Sequence, residues 1–245
     1  PPLLEPYLAL PPETALLVLT GVLGASTNWL VLRYLHALLK PPRQTTTTST
    51  DQEQPPEEET RLLLVSFLRD YPFWRDGCSR LGLDLEALAN KGRFGFVDGL
   101  GGLFAAAETT TTTQQQQRKG RWPSMRRAEA GEVGRVVGGV ADALRGGGGR
   151  VKVHAMIVTL AADEPLITAQ NTALEKGHAA FVLSLAHEAQ MVASLRLLDT
   201  GTAKDVSGVL RITGGGDDSG HAVEEKEYLY HVGGDGGVRV FERGQ

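Results

Sequence analysis

The first stretch that could do chemistry is Thr20-Gly21-Val22-Leu23-Gly24-Ala25-Ser26-Thr27-Asn28, which joins an apolar run to an amphipathic one. A nucleotide-binding α/β domain carries its phosphate loop, GxxxxGK[ST], at such a junction. There a lysine reaches the β- and γ-phosphates and the next hydroxyl holds Mg²⁺. Gly21, Gly24, Ser26 and Thr27 stand in the right place, but no lysine occurs between Gly21 and Lys40. Amides at the helix start could still attract an anion. With no ammonium to act on the phosphates, we expect no catalytic residues, no cofactor, no metal and no ATP hydrolysis by the chain alone. Such ATPases also need an apolar strand ending in Asp to hold the magnesium. The run Val151 to Leu160 ends instead in Thr159-Leu160-Ala161, and Asp163 and Glu164 come later beside Pro165, as a helix-capping or turn pair.

The remaining motifs fall short. Gly99-Leu100-Gly101-Gly102 hints at a dinucleotide loop, yet Phe104 replaces the third glycine and no acid follows about twenty residues on. His187-Glu188 lacks the second histidine of a zinc protease, and there is no GxSxG elbow. The single cysteine, Cys78, has no histidine near it in sequence and reads as a packed helix residue. One cysteine excludes an internal disulfide or a cysteine-based zinc cage and fits a reducing compartment. A cluster of Arg118, Lys119, Arg121, Arg126 and Arg127 surrounds Trp122, pairing charge with a stacking surface in a way that suits RNA backbone and exposed bases. The plainer reading is a solvated flank of a low-complexity tract. Lys204, in Thr200 to Asp205, is a second RNA-contacting candidate, or a hairpin lysine paired with Asp205.

These residues need elements to position them. Ala15 to Leu19 reads as a buried parallel strand ending in Thr20-Gly21. From Asn28 to Leu39 apolar residues recur every three to four positions, predicting a helix with one buried face that Pro41-Pro42 stops. Leu62 to Phe67 is a second strand, with a helix around Phe73 to Leu81, and Arg93 to Val97 is a third, delivering Asp98-Gly99 into a glycine turn. Helices are expected over Ala128 to Leu144, ended by Gly146 to Gly149, and over Leu174 to Ala189, with Phe181, Leu185 and Ala189 on one side. Period-two alternation then takes over at Met191 to Leu197, Val209 to Arg211, Leu229 to His231 and Val238 to Arg239, with turns at Gly214 to Gly220 and Gly233 to Gly237. The fold class is therefore α/β, a mainly parallel central sheet with an antiparallel C-terminal extension, in one domain over 1–245. Low-complexity insertions near 44–60 and 109–120 carry too little apolar surface to fold.

Composition sets outer limits. Hydrophobic residues make up 41% of the 245, aromatics only 6%, with 30 glycines, enough for a core in a loop-rich domain. A net charge of −4 argues against a whole surface that grips nucleic acid, so any such contact is local or shared. The greasy stretch Ala15 to Leu39 is broken by Gly21, Gly24, Ser26, Thr27, Asn28, Arg33 and His36, so no membrane span is expected. No basic region precedes an apolar run at Pro1-Pro2, and the expected setting is cytoplasmic or nuclear.

The C-terminal third carries a resemblance. Leu198-Asp199-Thr200-Gly201-Thr202-Ala203-Lys204-Asp205-Val206-Ser207-Gly208, then a strand, then Glu225-Lys226-Glu227-Tyr228-Leu229-Tyr230, is similar to the family of the sixth subunit of Elongator. The lysine-free loop at Gly21 and Leu64-Val65-Ser66-Phe67 with its following helix are similar too. The resemblance implies a RecA-like three-layer sandwich without working Walker motifs. It also implies a hetero-hexameric ring with Elongator subunits four and five, which binds transfer RNA and assists the catalytic Elongator subcomplex in modifying wobble uridines. One departure stands out: a RecA-like fold needs a helix where Arg150 runs directly into a strand, so that unit is remodelled or residues are missing near 150–154. The competing readings are an active P-loop-like ATPase or kinase, which the missing lysine opposes, and a stand-alone RNA-binding module, which predicts steep salt dependence of binding by the monomer.

Overall fold

A computed structural model describes residues 1–40, 60–98, 153–169, 171–198, 205–216 and 223–242. The chain divides into two compact units, Pro1–Val31 with Ala143–Gln245, and Leu32–Asp142. The expected helix over Ala128 to Leu144, the dinucleotide-like glycines 99–102 and the junction at 150–152 lie outside the described residues.

The first unit is built on a six-stranded sheet. Strand β1 (Ala15–Gly21) lies between β4 (Ala155–Ala161) and β5 (Met191–Arg196), parallel to both, with Gly21 opposite Ala161 and Thr20 opposite Ser194. A strand paired on both sides and covered on both faces has no reason to alternate, which is why Ala15-Leu16-Leu17-Val18-Leu19 reads as a continuous apolar run. Ala15, Leu17, Val18 and Leu19 are buried, and each large side chain there contributes about 1.5–3 kcal/mol relative to exposure. Beyond β5 the sheet turns antiparallel through β6 (Gly208–Gly214), β7 (Lys226–Val232) and β8 (Val238–Phe241). The α/β class, with its parallel core and antiparallel C-terminal extension, is thus the one the residue patterns predict. Period-two alternation is visible here because one face is more open. Leu195, Leu210, Ile212, Tyr228 and Tyr230 are buried, whereas Arg211 and Arg239 point to solvent.

Helix α2 (Asn28–Leu39) follows β1 with the bounds its periodicity predicts. A 3₁₀ turn at Pro2–Leu4 and helix α1 (Glu5–Leu8) precede β1; the proline-rich opening gave no periodic signal for them. Tyr7 of α1 rests edge-on against Tyr228 and donates to the Glu224 carbonyl at 2.9 Å. In the second unit β2 (Leu62–Ser66) pairs in parallel with β3 (Phe94–Asp98), joined through α3 (Tyr71–Arg80) and α4 (Leu85–Asn90). Asp70 and Asp84 cap the two helices by accepting from Phe73 and from Glu86 and Ala87. Cys78 is a packed residue of α3, and burial pushes its thiol up to about 12.

After β4, a short helix α5 (Glu164–Thr168) and the longer α6 (Ala173–Glu188) lead into β5. Thr172 and Glu175 form a reciprocal capping box at the start of α6. The side shared by Phe181, Leu185 and Ala189 is not the most buried side of α6. Its buried residues are Ala179 and Val182, with Leu185 half-buried, while Phe181 is 53% exposed. One helical step turns about 100°, so the residue just before Val182 faces away from the sheet.

Candidate functional site

In an open α/β sheet, ligands bind at the carboxyl ends of strands where neighbouring connections diverge. Here that edge is the end of β1 between β4 and β5, and it holds the residues that the sequence singles out. Gly21 closes β1, and its carbonyl accepts from the Ala162 amide at 2.8 Å, carrying the β1–β4 ladder one residue past the strands. The chain then folds back at once: the Ala25 amide bonds to the Val22 carbonyl at 2.9 Å, and the two residues form an isolated antiparallel bridge. Gly24 sits inside this turn with φ +91°, a conformation that a residue bearing Cβ adopts at a cost. Gly21 is fixed by space instead. A Cβ there would lie 2.7 Å from the Ala25 carbonyl oxygen, which is backbone and cannot swing away.

Thr27 begins α2: its carbonyl accepts from Leu30 and Val31, both at 3.0 Å. The Ser26 hydroxyl accepts from the Asn28 amide at 3.2 Å, so that hydroxyl serves the helix start. Ala25 is buried, pinning the turn to the domain, while Ser26 is exposed. Just below, the Thr20 hydroxyl donates to the Ser194 hydroxyl at 3.0 Å, linking β1 to β5.

The decisive contact comes from just past the end of β4. The Leu23 amide donates to Asp163 Oδ1 at 2.7 Å, the short length of a charge-assisted bond. Asp163 precedes the first residue of α5, as its position beside Pro165 predicts, and its carbonyl accepts from Leu166 and Ile167. Its side chain does not cap that helix; the carboxylate is spent on the β1–α2 turn. Across the turn, Leu197 lies against Gly24, its methyls 3.4 Å from where a Cβ would stand. His178 of α6 bonds the Ala161 carbonyl through Nε2 at 2.8 Å, bracing the same end of β4.

A phosphate cradle is an open loop whose amides converge on an anion, with a cation opposite. This turn is a narrow reversal with no cationic side chain in it, and one of its amides is held by the chain's own carboxylate. The sequence missed Asp163's role because the contact spans 140 residues. The available signal was an acid just past the strand that neighbours β1. Among the described residues, the apolar strand that does end in aspartate is β3, whose last residue is Asp98, in the other unit.

Gly21, Gly24, Ser26 and Thr27 thus come together. Arg118, Lys119, Arg121, Trp122, Arg126, Arg127 and Lys204 all lie outside the described residues. Among the described residues, no three His, Cys, Asp or Glu side chains gather as a metal site would require, and no helix is long and apolar enough to cross a membrane.

The chain matches no protein-family model and no curated protein sequence. Among solved structures it is similar to a KaiC-like protein from the hyperthermophilic archaeon Pyrococcus horikoshii, at 13% identity and a TM-score of 0.49, over 94% of this chain and 90% of that one.

Proposed function

We propose that this chain is a non-catalytic RecA-type subunit that works only beside other chains. In this reading it takes its place with Elongator subunits four and five in a hetero-hexameric ring. The ring, not the single chain, binds transfer RNA and supports wobble-uridine modification by the catalytic Elongator subcomplex. The observation that carries the first half is the β1–α2 turn: it has the position of a phosphate loop, no lysine, and an aspartate on the Leu23 amide. Phosphoryl transfer is almost wholly a matter of placing cations and amides around the phosphates, so a turn that offers a carboxylate there is unsuited to it. The strand order β4-β1-β5 with parallel pairing supports a nucleotide-fold ancestry, and the C-terminal motif around Asp199 to Gly208 supports the Elongator assignment.

Three measurements test this. Purified chain should release no phosphate from ATP over multiple turnovers; steady turnover would overturn the non-catalytic reading in favour of an active ATPase or kinase. Co-purification from cells followed by native mass measurement should give a hetero-oligomer holding two copies of this chain. If the isolated chain binds transfer RNA as tightly as the assembly does, the shared-ring reading fails and the stand-alone RNA-binding module takes its place.

A further inference from the structure

We infer that Asp163 is a built-in substitute for a bound anion, a latch that holds the β1–α2 turn closed against phosphate. The inference deepens the non-catalytic reading above and rests on it. A helix-capping carboxylate ordinarily accepts from amides of its own helix, as Asp84 and Asp70 do here. Asp163 instead crosses from the end of β4 to an amide of the turn after β1. The turn is supported on its other sides as well: the Gly21 carbonyl by the Ala162 amide, and Gly24 by the Leu197 side chain. What the carboxylate adds is one negative oxygen at hydrogen-bond distance from an amide that begins the strand-to-helix turn. In a functional loop that place belongs to a phosphate oxygen. An incoming phosphate would have to displace the bond and then sit beside the displaced charge, with no lysine in the turn to offset it.

The latch has a second consequence. By bonding Leu23, Asp163 ties the turn to β4, the strand already paired with β1 along its whole length. The Leu23 side chain at the tip is 87% exposed, so the turn is held by its backbone and not by burial of that side chain.

The test uses the full chain and inorganic pyrophosphate as probe, read on the backbone amide signals of Leu23 and Gly24 and on amide exchange of the turn. Wild-type protein should show no pyrophosphate-dependent shift there. Asp163→Ala should exchange the Leu23 amide faster and show a pyrophosphate-dependent shift, with an affinity up to about fivefold above any that wild type has, the scale expected when one like charge is removed at a solvent-exposed site. Asp163→Asn, which keeps the shape and an acceptor oxygen, should hold the turn but lose the charge barrier, giving near-normal exchange with a gain in pyrophosphate response. The latch is overturned if Asp163→Ala leaves Leu23 exchange unchanged, if neither variant gains pyrophosphate response, or if wild type already binds pyrophosphate as well as the variants. ATP turnover by wild type, by contrast, would sink the non-catalytic reading itself, so the two failures are separately visible.

Discussion

Two glycine turns in the first unit solve the same problem by different routes. Between β7 and β8, Gly233-Gly234-Asp235-Gly236-Gly237 reverses the chain with Gly236 at φ +80°, the Gly233 amide bonded to the Gly237 carbonyl at 2.8 Å, and the Asp235 carboxylate accepting from the Gly237 amide two residues on. The β1–α2 turn also has a left-handed glycine and an aspartate on a backbone amide, but that aspartate comes from the end of another strand. The first turn is self-contained, so disturbing it should affect one hairpin. The second is a tie between strands, so disturbing it should be felt at the ends of both β1 and β4. A carboxylate therefore means little by its presence near a glycine turn; what matters is how far away in the chain it is anchored.

The comparison can be broken most forcefully at Gly21. Gly21→Ala forces a Cβ against the Ala25 carbonyl, and urea unfolding should show a loss of about 2–3 kcal/mol, as overpacking against immovable backbone does. A loss below about 0.5 kcal/mol would mean the turn shifts freely and is not the narrow reversal described. Next come the left-handed glycines of these two turns: Gly24→Ala and Gly236→Ala should each lose about 1 kcal/mol through strain at positive φ. Asp163→Ala should lose about 1 kcal/mol, a charged hydrogen bond discounted for exposure, with amide exchange rising both at 22–25 and at 161–163. Asp235→Ala should cost the least, about 0.5 kcal/mol, with faster exchange confined to 233–237. If the Asp235 variant disturbs amides outside its hairpin, or the Asp163 variant none outside 22–25, the contrast between a local and a tying turn is lost.

What could be read in the sequence follows the same line between near and far. The Gly-Gly-Asp-Gly-Gly turn and the helix Asn28–Leu39 were legible because their causes lie within a few residues. So was β1, whose unbroken apolar run needs cover on both faces. The place of Gly21, Gly24, Ser26 and Thr27 was legible as a strand-to-helix junction, but Asp163 appeared only as a cap, since no local pattern tells a carboxylate which amide it will choose. Helix α6 shows the limit differently: Leu174, Phe181 and Leu183 are exposed apolar residues, and apolar spacing alone could not say that Ala179 and Val182 would be the ones to face the sheet. Helices α1, α4 and α5 span four to six residues and were too short to leave a periodic trace.

The tilted packing of Trp29, one of the chain's three tryptophans, on Tyr230, ring centres 5.1 Å apart, gives the turn an optical gauge of its own. The indole stands two residues past the Thr27 start of α2 and leans on β7, so the emission colour and quenching of that one fluorophore depend on where the helix begins. A change at the turn large enough to move the first coil of α2 is thereby written into the protein's own light.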